Sequence, residues 1–195
     1  MSAGTAALPR QRATIPNPVI GTLIFLATEA MFFAGLISAC LVLRSESVVW
    51  PPPDQPRLPT VITLGNLLLL LASGWSMWRA VAAERAARRS EIKRWLLAAA
   101  LLGVVFLAIQ GSEWMQLVRF GLSRGGEVYG GVFYTIIGAH GLHVLGGVVV
   151  LLAALRQVTR RHDKSQDLAL LEACRLYWTF VVGLWPLLYV LVYLL

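Results

Sequence analysis

Charge is scarce in this chain. Asp, Glu, Lys and Arg together supply 14% of its 195 residues, while 57% are hydrophobic, a balance suited to lipid rather than water. Cysteine is scarcer still. Cys40 and Cys174 form no pair at metal-ligand spacing. They fall at the outer end of the first apolar run and the inner start of the last, so a disulfide is not expected. There is no Gly-rich phosphate loop, no Ser/His/Asp set and no carboxylate pair, which argues against a redox or hydrolytic centre within the chain. Internal repeats, low-complexity tracts and a soluble domain are also missing. The segment Met1–Pro18 carries Pro9, Pro16 and Pro18 but no apolar core, which is not the pattern of a signal peptide.

What remains is a series of long apolar runs. The run from Tyr129 to Leu155 contains no Asp, Glu, Lys or Arg. At about 1.5 Å per residue it is long enough for a hydrocarbon core of about 30 Å. Spans are predicted at about 19–43, 58–81, 95–118, 131–155 and 176–195, behind a cytoplasmic N-terminal segment 1–18. The expected fold is all-α, an integral membrane bundle of five transmembrane helices. The net charge of +7 sits in the gaps between spans, which points to membrane topology and not to nucleic acid. The N-terminus, the second gap and the fourth gap hold 13 of the 17 Lys and Arg residues. The N-terminus is therefore expected in the cytoplasm and the C-terminus outside. The first outer gap, WPPPDQPRLP, reads as a stiff connection with Trp50 at the interface. The second, AVAAERAARRSEIKRW, has the composition to prolong both flanking helices.

A few polar residues interrupt the apolar runs. Glu29 stands alone in FLATEAMFFAGL, and an acid at that depth must be protonated or bonded to another helix. Ala30, Ala34 and Ser38 repeat at four-residue spacing beside it, the mark of a close helix contact. His140 and His143 lie three apart near the middle of the fourth span, on one helical face. A haem with two axial ligands would need histidines on different helices, and the only other one, His162, lies in a gap. Hydrogen bonding between helices is therefore the reading, with Glu29 at similar depth the candidate partner. Glu113, near the outer end of span three, reads equally as a solvated interfacial acid or as half of a buried pair. Asn66 and Ser73 share a face of span two and suggest polar stitching. Trp95, Trp114 and Tyr193 read as interface anchors.

The residues themselves resemble a known family, cytochrome oxidase subunit III of the haem-copper terminal oxidases. ATEAMFFAGLISACLVLR looks like its glutamate-bearing helix. QGSEWMQLVRFGLSRGGEVYGGVFYTIIGAHGLHVLGG follows its pattern of acid, aromatic pair and HGLHV. RLYWTFVVGLWPLLYVLVYLL resembles its terminal helix. The similarity runs from Pro18 onward and is to the short, five-helix form. It implies an accessory subunit with no redox centre of its own, in a proton-translocating oxygen reductase of a bacterial cell membrane. Haems and copper are expected in partner subunits, with this chain packed on subunit I and accompanied by subunit II and others.

The resemblance also implies bound phospholipid, in a lipid-filled cleft between the first two helices and the rest. Glu29 matches the family's buried carboxyl, Glu113, His140 and His143 its polar positions, and Arg44 a basic residue suited to a lipid headgroup. The subunit would support sustained turnover and proton uptake. In the terminal helix this chain reads WTFVVGLW where the family reads WHFVDVVW, so Thr179 and Val182 replace a His and an Asp. The accessory subunit of a nitric oxide reductase is the neighbouring alternative. An independent proton-linked transporter using Glu29 and the histidines is the alternative of a different class, and a membrane cytochrome b a third.

Overall fold

The computed structural model describes residues 16–47, 60–119, 128–160 and 164–194. Trp50 and the first outer gap, His162 and the N-terminal segment to residue 15 lie outside them. Five long helices make up the fold: α1 (Asn17–Glu46), α2 (Thr60–Arg85), α3 (Arg89–Arg119), α4 (Val128–Arg160) and α5 (Lys164–Tyr189), the last running into a π-turn at Val190–Leu194. Each is long and apolar enough to cross a membrane, so the chain is an all-α, multi-pass membrane bundle.

The helices outrun the apolar spans because their charged ends are themselves good helix formers. The largest difference is in α5, which begins at Lys164, well before the expected start at 176. Glu172 lies in this early part and bonds both Arg175, at 2.8 Å, and Arg85 of α2. α2 and α3 are joined by a turn of three residues. Ala87 there has φ of 58°. Its N–H bonds the Glu84 carbonyl at 2.9 Å, and the Arg88 N–H reaches the Ala83 carbonyl at 2.9 Å. This is the Schellman arrangement, with alanine where glycine is usual.

α2 lies along α3, α5 packs on both α2 and α4, and α3 packs on α4; α1 touches chiefly α5 and, less, α4. The expected division of the first two helices from the rest is thus not observed. α2 belongs to the main bundle, and the groove on the α1 side opens between α1 and the α4–α5 pair. The small-residue stripe also departs from expectation. Ala30, Ala34 and Ser38 face outward, while Phe33 and Cys40 make the buried contact.

Trp178 of α5 is the keystone of the core. It is fully buried, and its ring lies so close to α3 and α4 that a Cβ on Gly147 would sit 2.5 Å from it and one on Gly103 3.0 Å. Glycine at these two positions is what admits the indole. Its Nε1–H donates to Ser73 Oγ at 3.0 Å, and that hydroxyl donates to the Ala99 carbonyl at 2.7 Å. Four helices are tied through one side chain.

The two departures in the terminal helix have local compensation. Thr179 accepts a hydrogen bond from Trp78 Nε1 at 3.1 Å. Val182 fits against the bare backbone of Gly74, where a Cβ would meet its Cγ1 at 3.0 Å. α2 and α5 therefore meet through an indole–hydroxyl bond and a valine-on-glycine contact.

Candidate functional site

Among the predicted residues, Glu29 and His143 are brought together. Glu29 leaves α1 toward α4, and its Oε2 lies 2.7 Å from His143 Nε2. The side chains are 17% and 16% exposed, so the pair is largely screened. On the other side of the ring Nδ1 lies 2.7 Å from the Ala139 carbonyl, one turn back on α4. A carbonyl only accepts, so Nδ1 carries a hydrogen and Nε2 is the nitrogen that varies. The contact with Glu29 then contains one proton, either on the carboxyl or on the imidazole. Both forms are neutral overall, which is the form in which such groups are tolerated at bilayer depth.

Three further side chains complete the junction. Phe33 meets the His143 ring edge-on at 5.1 Å and Phe32 lies against it at 6.3 Å. Tyr177 of α5 donates to the His143 carbonyl at 2.9 Å and stacks on Phe25 at 6.1 Å. Tyr177 also lines a groove of about 560 Å³ between α1, α4 and α5, together with Gly21, Phe25, Gly146 and Val150. Its walls are almost wholly apolar, suited to an acyl chain. Arg44 lies in the last turn of α1, the opposite end from the Pro18–Phe25 stretch that lines this groove. It is not brought to the pair or to the groove.

His140 takes a different course. Although it is three residues from His143, its position is rotated by about 60° around the helix axis, and it points into the main bundle. It is 1% exposed, and neither ring nitrogen has a hydrogen-bond partner among the described residues. The expected interhelical hydrogen bond is replaced by stacking on Trp185 at 4.9 Å, with Phe106 edge-on at 6.1 Å.

Glu113 is 4% exposed and hence not a solvated interfacial acid. Its Oε2 accepts from Thr63 Oγ1 at 3.1 Å and from Gln110 Nε2 at 3.1 Å. Gln110 continues to Tyr193 OH at 3.2 Å and accepts from Asn66 Nδ2 at 3.3 Å. This second polar cluster ties α2, α3 and the end of α5. Tyr193 is therefore buried and bonded, not an interface anchor. Trp114 likewise lies over the bare backbones of Gly138 and Gly141. Trp95 stands edge-on to Trp75.

Sequence reasoning passed over Thr63, Gln110 and Tyr177. Each is an ordinary helix or span-end residue whose role depends on which face it occupies. Spacing held one available signal: Gln110 and Glu113 lie three apart, as do the two histidines. Among the described residues no three His, Cys, Asp or Glu side chains converge.

The profile of the family described as cytochrome c oxidase subunit III matches residues 13–195. The cytochrome c oxidase subunit 3 of Synechocystis sp. is 34% identical over 91% of this chain and 75% of its own length. The probable cytochrome c oxidase subunit 3 of Nocardia farcinica is 34% identical over 91% of this chain and 88% of its own. The mouse cytochrome c oxidase subunit 3 is 33% identical over 89% and 67%. A five-helix membrane bundle and a match spanning nearly the whole chain lead to one conclusion: the chain belongs to the cytochrome c oxidase subunit III family.

Proposed function

We propose that the chain is the accessory subunit III of a respiratory haem-copper oxidase in a bacterial cell membrane, with its N-terminus cytoplasmic. It holds phospholipid, packs on subunit I and sustains proton uptake and stable turnover there. It carries no catalytic centre, and the haems and copper belong to partner subunits. The Glu29–His143 pair is the observation that carries this reading. A neutral, proton-sharing pair inside the bilayer, beside an apolar groove, suits a subunit that steadies proton chemistry without performing redox steps. The outward face of α1, with Met31, Ile24 and Val42 exposed around the Ala30–Ala34–Ser38 stripe, suits packing against another subunit.

The experiment is a reduced-minus-oxidised visible spectrum of the complex recovered in mild detergent through a tag on this chain. Haem a or o bands with oxygen consumption are expected. Haem b and c bands with nitric oxide consumption would assign it to a nitric oxide reductase instead. A haem-free preparation would overturn the reading in favour of an independent proton-linked transporter.

A further inference from the structure

On the flank of α5 turned away from α1, a second groove of about 580 Å³ runs between α2 and α5. Its floor and walls include Leu71, Trp75, Trp78, Val182 and Gly183, and Arg79 stands on its rim. The lining from Leu71 to Ala82 covers about 16 Å of helix, close to half of a hydrocarbon core of about 30 Å. That is the depth of one leaflet.

The charge at the end of the groove is distinctive. Arg79 lies over the rings of Trp75 and Trp95, with Cζ 5.5 Å and 5.2 Å from their centroids. It is exposed, and no carboxylate pairs with it among the described residues. Arg175, over the Trp78 ring at 4.7 Å, is by contrast bonded to Glu172. Tryptophans mark the level where acyl chains give way to headgroups. A cation held among them, on the rim of an apolar channel about one leaflet deep, is complementary to an anionic lipid.

We propose that the α2–α5 groove binds one anionic phospholipid, its acyl chain between Trp78 and Gly183 and its phosphodiester on Arg79. This site is separate from the groove beside Glu29. Its test needs only the purified tagged chain with whatever subunits accompany it, so it stands or falls apart from the oxidase reading.

The test counts bound lipid. Complexes containing the wild-type chain, Arg79→Gln, Arg79→Lys or Gly183→Leu are washed free of loose lipid. They are then equilibrated with equimolar phosphatidylglycerol and phosphatidylcholine, and retained lipid is measured by mass spectrometry. The wild type should hold one more phosphatidylglycerol than Arg79→Gln, with about a fivefold preference over phosphatidylcholine, the effect of one basic residue at a charged headgroup. Arg79→Lys should keep most of that preference. Gly183 is exposed and a Cβ there meets nothing within 4 Å, so leucine is accommodated and should displace the lipid whichever headgroup it bears. Equal retention by the wild type and Arg79→Gln, or undiminished lipid in Gly183→Leu, would overturn the proposal. So would a groove filled by a helix of another subunit, which would leave all four preparations alike.

Discussion

Because the Nδ1 hydrogen of His143 is committed to the Ala139 carbonyl, the nitrogen facing Glu29 bonds in only two ways, as acceptor from a carboxylic acid or as donor to a carboxylate. Glutamine in place of Glu29 can still donate to that nitrogen but has no proton to exchange. Glu29→Gln should therefore leave the subunit in the complex with normal haem content, while oxygen-consumption traces decay sooner over repeated turnovers. Traces that superimpose on the wild type would reduce the pair to a structural bond. His143→Leu removes the partner and strands the acid, at about 1–2 kcal/mol for the lost bond. About tenfold less subunit should survive purification, and undiminished recovery would count against a holding role.

Much of this pair was readable beforehand, since a lone acid and a histidine within uncharged runs at similar depth have few partners other than each other. His140 was not readable to the same degree. A rotation of about 60° on the helix separates a hydrogen-bonding face from an aromatic one, and only the packing of α5 decides between them. Glu113 posed the same problem: its distance along the helix suggested the interface, yet Thr63 and Gln110 enclose it.

The helices extend past the apolar spans because hydropathy reports where lipid is, not where hydrogen-bonded backbone stops. α5 shows this at its start. Its end shows something else: Pro186 lacks the N–H that would bond one turn back, and the chain widens into a π-turn at Val190–Leu194. Tyr193 is thereby carried inward to Gln110, while Tyr189 OH reaches the Thr60 carbonyl at 3.2 Å. Such a local change of pitch has no periodic signature, so an end-of-span tyrosine reads as an anchor when it is a bonded core residue.

At the α2–α3 turn, Ala87 holds a left-handed conformation that favours glycine. Ala87→Gly should stabilise the hairpin by about 0.5–1 kcal/mol. At the Trp178 contact the direction reverses. Gly147→Ala places a methyl group 2.5 Å from the indole and should cost about 1–3 kcal/mol by overpacking, whereas Gly131→Ala, with nothing within 4 Å, should be near neutral. Both helix-level predictions have a native reporter. Cys40 and Cys174 are free and buried, so the temperature at which a thiol-reactive dye labels them follows unfolding. Equal midpoints for Gly147→Ala and Gly131→Ala would mean that Trp178 has room to move.

The excess of Lys and Arg at the N-terminus and in the second and fourth gaps predicts a cytoplasmic N-terminus and, with five crossings, a C-terminus outside. Alkaline phosphatase fused after Leu195 should be active and a fluorescent protein at the same position dark, in cells exporting through the inner membrane. The reverse result would invert the topology without altering the fold. The number of helices and their membrane character were evident from composition. How they neighbour one another was not, because apolar faces look alike to a hydropathy pattern. What sets their neighbours is the fit of Phe33 against His143 of α4, of Trp178 against the glycines of α3 and α4, and of Val182 against Gly74 of α2.

That neighbourhood has a consequence in time. Glu29 is separated from His143 by 114 residues, and at about 5–20 residues per second a ribosome takes roughly 6–23 seconds to cover that distance. For that interval α1 resides in the bilayer with its acid unmatched, and its chief packing surface on α5 is not yet made. α1 is thus synthesised well before the helices it docks on. An apolar helix that waits for its partners in this way needs its packing face shielded until α4 and α5 are made.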